Sequence, residues 1–168
     1  MSFIHLRVAS AYSFKYGTTQ PRDLVARASE LEMPALALTD RDGLAGAIRF
    51  TKAAVTHGIA PIIGVNLAIR IGDTSGALPR VTVLAHGDGG WRSLVRLMTG
   101  LQMNSPDRTP VLIPELLEKF SSYTSQLHLL HGPESPVSQA LTAHRFDAAL
   151  TIFNQTRDLF ADHAIECV

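Results

Sequence analysis

Residues 33–58, MPALALTDRDGLAGAIRFTKAAVTHG, settle the fold class of this chain. Ala35 to Thr39 is a short uncharged run bounded by Pro34 and by the turn chemistry of Asp40-Arg41-Asp42-Gly43, so it reads as a strand buried on both faces. Leu44, Ala47, Ile48, Thr51, Ala54 and Val55 then recur at helical spacing, and His57-Gly58 supplies the stop. A strand of that kind running into an amphipathic helix is the repeating unit of an α/β fold with a largely parallel sheet.

The alternation extends both ways. Upstream, Ile4 to Val8 is expected as the first strand, a loop through Gly17 follows, and Pro21 opens a helix with Leu24, Val25, Ala28 and Leu31 on one apolar face. Downstream, Pro61 to Ile71 is expected as a third strand, Asp73 to Pro79 as a turn-rich connection and Val81 to Ala85 as a fourth strand. His86-Gly87-Asp88-Gly89-Gly90 reads as a flexible turn; it has the glycines of a phosphate-cradling loop but not the Lys and Ser or Thr. Trp91, Leu94, Val95, Met98 and Leu101 stripe the next helix, and Met103 to Pro110 has loop composition. A short helix at Glu115 to Phe120, a fifth strand at Leu127 to Leu130, helices near Val137 to Ala143 and Phe146 to Ala161, and a sixth strand at Ala164 to Val168 complete a single domain over residues 1–168. A chain that stops on a strand leaves a βα barrel unclosed, because closure pairs the last strand with the first. The chain is therefore expected to be the front of a longer polypeptide or a truncated copy of one, a partner chain being the other way to cover the gap.

Composition excludes several classes. With 168 residues and 46% apolar content the chain can bury a core of its own. Fifteen Lys and Arg balance fifteen Asp and Glu, so no global positive field holds a nucleic-acid backbone, and DNA contact is expected only indirectly. Cys167 has no second cysteine to pair with, and MSFIHLRVAS lacks the apolar core of a secretory signal. No run approaches the roughly 18 apolar residues of a membrane span. The cytoplasm is the expected compartment, without a membrane partner.

HLRVASAYSFKYG (5–17), MPALALTDRDGLAGAIRF (33–50) and GIAPIIGVNLAI (58–69) carry a family resemblance. In order and spacing they resemble the N-terminal PHP (polymerase and histidinol phosphatase) domain of bacterial DNA polymerase III alpha subunits, LTDRDGL being nearest to the error-prone paralogues. RVTVLAHGDGGWRSLVRLMT (80–99) and LLHGPESPVSQAL (129–141) are similar to the strand-helix units that follow in those proteins. The resemblance implies a distorted TIM-like β/α barrel of about six mainly parallel strands with helices outside, incomplete in this chain.

In family members with an intact site, histidines and carboxylates at the strand ends hold divalent metals that clamp a phosphate and supply a hydroxide nucleophile. Carried over by resemblance, the ligand positions fall on Arg7, Ala9, Tyr16, Arg41 and Asn66, the Cys-bearing turn falls on Pro133, and the last Asp and His ligands would lie beyond Val168. Arginine stays protonated and repels a divalent cation, and alanine has no donor atom. His5, Ser10 and Asp40 remain of the motif, with Gly17, Gly43, Gly46 and Gly64 shaping turns and close packing. The expected result is a catalytically silent, metal-free and cofactor-free domain with no catalytic residue. It would serve as a structural and subunit-docking scaffold in DNA replication or repair synthesis, packing on a polymerase body in cis or in trans and docking a proofreading or accessory subunit. An unpaired barrel edge would also permit self-association. The alternative is a PHP phosphoesterase or 3′ to 5′ exonuclease holding Mn or Zn through a rebuilt set of His5, Asp40, His86, His128 and His131.

Individual residues carry plainer expectations beside the sharp ones. Arg7 and Arg41 could capture an anion as planar forks matched to phosphate; the commoner outcome is ion pairing with Asp40 or Asp42. His5 is expected as a hydrogen-bonded core histidine, Trp91 as a core residue and Cys167 as a buried one. His128 and His131 lie three apart where a strand enters a turn, so their rings should face differently, a poor start for zinc. No Gly-x-Ser-x-Gly elbow is present.

Overall fold

The computed structural model describes residues 3–71, 76–105, 109–119, 121–160 and 162–165. The fold is α/β, as expected, and its residues group into two compact units, Met1–Asn66 and Leu67–Val168.

In the first unit α1 (Pro21–Glu30), β1 (Ala35–Leu38), α2 (Ala47–Thr56) and the start of β2 (Ala60–Ile69) follow one another. Ala35 to Leu38 pair in parallel with Ala60 to Ile63. The core is built from Val25 and Ala28 of α1, Leu36 and Leu38 of β1, Phe50 and Ala54 of α2, and Ile59. Gly58, at φ +68, turns the chain out of α2 while the amide of Ile59 bonds back to the carbonyl of Ala54. That left-handed cap is why the helix stops where the sequence says it should.

Three expectations need correction here. Ile48 and Val55 are exposed; Ala47 and Ala54 of the expected stripe are buried, and they form the buried face of α2 with Phe50 instead of with Ile48 and Val55. Both stripes have helical spacing, and the aromatic ring, with the most apolar surface to hide, selects the face. Leu31 is exposed because it lies past the last turn of α1. Residues 4–8 run along β1 without forming a strand: the carbonyl of His5 accepts from Ala37 N and that of Val8 accepts from Thr39 N. Three residues are thus spanned against two, and the amide of Val8 turns to the Thr39 hydroxyl (3.0 Å), so the ladder cannot continue.

The second unit contains the end of β2, β3 (Arg80–Ala85), α3 (Gly87–Met103), β4 (Val111–Leu112), α4 (Pro114–Lys119), a 3-10 turn (Ser121–Gln126), β5 (Leu127–His131), α5 (Pro136–Thr142), α6 (Phe146–Arg157) and β6 (Asp162–Ile165). Ala68 and Ile69 pair in parallel with Val111 and Leu112, and β5 pairs in parallel with β6. β3 and β5 are antiparallel, Ala85 opposite Leu127, an exception that a mainly parallel sheet leaves room for. The amide of His86 bonds to the carbonyl of Gln126, so β5 starts where β3 ends. The same crowding corrects the flexible-turn reading of 87–90. These residues form the first turn of α3, where a side chain on Gly89 would overlap that of Gln126 and one on Gly90 would meet the Gln126 carbonyl oxygen at 2.7 Å.

In α3 the buried stripe is Leu94, Leu97, Met98 and Leu101, whereas Trp91 is half-buried and Val95 exposed. The helix also takes in Met103, α6 ends at Arg157 instead of Ala161, and β6 begins at Asp162. Cys167 and the rest of the expected strand end at 166–168 lie outside the described residues, as do 72–75 and 106–108. Among the described residues no helix is long and apolar enough to cross a membrane.

Candidate functional site

The carboxylate of Asp40, 2% exposed just beyond β1, organises the candidate site, which lies wholly in the first unit. Its Oδ1 accepts from the amide of Ser10 (2.6 Å) and the hydroxyl of Ser13 (2.7 Å), and its Oδ2 accepts from the hydroxyl of Ser10 (2.8 Å). Both serines are fully buried. Ser13 Oγ also accepts from the amide of Arg41 (2.9 Å), and Ser10 Oγ from the amide of Tyr12 (3.2 Å). The network ties the loop 10–17 to the end of β1, and a buried carboxylate with three donors is a satisfied one. Glycine is required beside it: a Cβ on Gly46 would lie 2.8 Å from Asp40 Oδ2, and one on Gly17 would overlap the carbonyl oxygen of Ser10.

Two expected ligand positions are brought together by this loop. The guanidinium of Arg41 lies 3.0 Å from the centroid of the Tyr16 ring. Asn66, buried in β2, forms a parallel bridge with Arg41, its amide donating to the Asp40 carbonyl and its carbonyl accepting from the Asp42 amide. Arg7 lies on the exposed segment before Val8, and Ala9 is half-buried with its carbonyl against Gly17. His5 is exposed, edge-on to Phe3 at 4.8 Å between centroids, and lines a groove with Leu24, Ala28 and Leu31. It is not the core histidine expected, because the residues around it run outside the β1–β2 ladder.

These residues do not fit a metal centre. Both oxygens of Asp40 are committed to serine donors, a cation stands on Tyr16, and the serine hydroxyls donate inward with no histidine base beside them. Among the described residues no group of three or more His, Cys, Asp or Glu is placed to hold a metal ion.

The histidines of the second unit separate as their spacing predicts. His128 meets His86 edge-on at 5.5 Å. His131 faces the other way, fully buried, stacked on His163 at 6.1 Å and 14° and tilted on Phe153. Its Nε2 lies 3.3 Å from the Thr156 hydroxyl, which is itself within bonding distance of the Ile152 and Phe153 carbonyls. Those carbonyls can only accept, so the hydroxyl donates to them and His131 Nε2 donates to it. Burial, and then the charge of His163, lower the pKa of His131 from 6.5 to about 4. Pro133 is exposed in the following turn.

Sequence reading missed Ser13 and Thr39. Their only signal is a hydroxyl at each end of the conspicuous segments, three residues past Ser10 and one before Asp40.

The PHP domain family matches residues 5–167. The error-prone DNA polymerase of Corynebacterium efficiens is 40% identical over 120 residues, covering 70% of this chain and 10% of that protein. DNA polymerase III subunit alpha of Buchnera aphidicola subsp. Acyrthosiphon pisum is 39% identical over 97 residues, covering 58% and 8%. The chain thus spans about a tenth of the length of the curated relatives it matches. In fold it is similar to a two-domain protein containing a predicted PHP-like metal-dependent phosphoesterase from Bacteroides vulgatus, with TM-score 0.50, 11% identity, and 91% of this chain and 48% of that one covered.

Proposed function

This chain belongs to the PHP domain family, and from that premise we propose that it is a catalytically silent, metal-free member that serves an error-prone or alpha-type DNA polymerase as a structural and subunit-docking scaffold. The observation that carries the reading is the state of the site: Asp40 accepts three hydrogen bonds from Ser10 and Ser13, and Arg41 is stacked on Tyr16. Arg7, Ala9, Tyr16, Arg41 and Asn66 are the substituted ligand positions in this reading, and no cofactor is required. An arginine there adds a permanent positive charge where a divalent cation would have to sit. Similarity to polymerases many times longer supports a polymerase body as the partner, in cis or in trans, with a proofreading or accessory subunit docked on it in the bacterial cytoplasm.

Metal analysis of the purified chain tests the silent state. The expected result is substoichiometric Mn and Zn, with no hydrolysis of a nitrophenyl phosphate or of a 3′ DNA end. Stoichiometric metal together with chelator-sensitive hydrolysis would replace the scaffold with an active phosphoesterase or exonuclease.

A further inference from the structure

Three aromatic residues alternate along the loop that Asp40 ties down, and each has a cation on it. Arg49 lies 5.6 Å from the centroid of Tyr12, Lys15 lies 5.6 Å from that of Phe14, and Arg41 lies 3.0 Å from that of Tyr16. Phe14 is 85% exposed and Tyr16 57%, large apolar surfaces that folding leaves in water. The loop that displays them is held firmly. Ser13 N bonds to Ser10 O, the amides of Tyr16 and Gly17 both bond to Ser13 O, and both serines are fixed on Asp40. Lys15 itself has φ +63, a left-handed conformation this closed turn imposes. No carboxylate occurs anywhere in residues 3–22, and Asp40, the one to which the loop is bonded, is buried.

We infer that the Tyr12–Tyr16 loop is a contact surface for single-stranded nucleic acid. A nucleotide presents a planar π face and, a few ångströms away, an anion; a fixed ring with a cation beside it answers both. A duplex hides its base faces in the stack, so the single strand is the form that fits. Ring faces do not read base edges, so binding tolerates any sequence and either sugar. The balanced charge of the whole chain keeps it weak and confined to low salt. The inference goes beyond the scaffold reading: it requires no metal and no cleavage, and it stands or falls without reference to metal content.

Fluorescence anisotropy in chelator tests it, with the full chain and labelled oligothymidylate and oligouridylate of about twelve nucleotides, within the usual site size of a stacking surface. Both single strands should bind at low salt, and a duplex of the same length should bind more weakly. Phe14→Ala should weaken binding at least about fivefold, the low end of what one stacked base contributes. Lys15→Gln should lower the salt slope by about 0.7, the value of one single-strand phosphate contact. Phe146→Ala, which removes an exposed ring from α6, should change nothing. Urea midpoints recorded alongside ensure that only folded variants are compared. Absence of single-strand binding at low salt, binding indifferent to both loop substitutions, or an equal loss in Phe146→Ala would overturn the inference. So would uptake by phosphatidylglycerol vesicles without oligonucleotide binding, which would assign the rings to a lipid surface.

Discussion

Ser13 bears more of the candidate site than its single hydroxyl suggests. It donates to Asp40 Oδ1 and accepts from the amide of Arg41, so one oxygen satisfies a buried charge and a backbone donor together. Ser13→Ala should therefore cost about 1–3 kcal/mol, the range for leaving buried polar groups without partners. Urea unfolding with an unchanged m value would show it, and a loss within experimental error would mean that the network adds nothing to stability. Tyr16 and Arg41 make a weaker claim, because Tyr16 is more than half exposed. A double-mutant cycle of Tyr16→Ala and Arg41→Ala should give a coupling of about 0.5–1 kcal/mol, and zero coupling would deny the stack any energetic meaning. Asp40 and Ser10 were legible in the sequence because they stand in recognisable segments. Tyr16 and Arg41 were each legible as a departure from a ligand pattern, but their pairing was not, since only the loop closure enforced by Gly17 and the serines brings them together.

At the scale of elements, α2 shows why periodicity alone settles a helix but not its buried face. Ala47, Phe50 and Ala54 point to the core, and Ile48 and Val55 to solvent, although either set satisfies a helical repeat. Phe50→Ala should cost about 3–5 kcal/mol, as for other ring deletions in a packed core, while Ile48→Ala should stay within about 0.5 kcal/mol. Equal effects in chemical denaturation would put the helix in the wrong rotation. The first segment and β5 carry the complementary lesson. Residues 4–8 look like a strand because Ile4, Leu6 and Val8 alternate with polar residues, yet the three-against-two spacing to β1 breaks the ladder. The reversed pairing of β3 with β5 depends on Gly89, Gly90 and Gln126, a close approach that glycine makes possible and that sequence alone shows only as a glycine-rich stretch. Residues 4–8 and Gly87–Gly90 apart, strand and helix identities were readable from local patterning, whereas pairings that rest on distant backbone contacts were not.

For the whole molecule, His131, buried in the second unit, gives stability a pH response. Folded, its imidazole is held neutral with a pKa of about 4, against 6.5 for the ordinary group. Unfolded chains take up a proton below 6.5 that the folded chain refuses until about 4. The stabilisation is therefore complete above pH 6.5, declines by up to about 1.4 kcal/mol per pH unit on acidification, and levels off below about 4. The quantity that isolates His131 is the difference between the natural chain and His131→Gln, which keeps an amide donor for Thr156 but cannot ionise. Trp91, the single tryptophan, follows the first turn of α3 in the same unit and reports unfolding there by its fluorescence. The natural chain should lose stability more steeply than the variant between pH 6.5 and 4, and the two should run parallel above pH 7. Parallel curves throughout would mean that His131 ionises in place, and that the pocket formed by Thr156, His163 and Phe153 admits the charge.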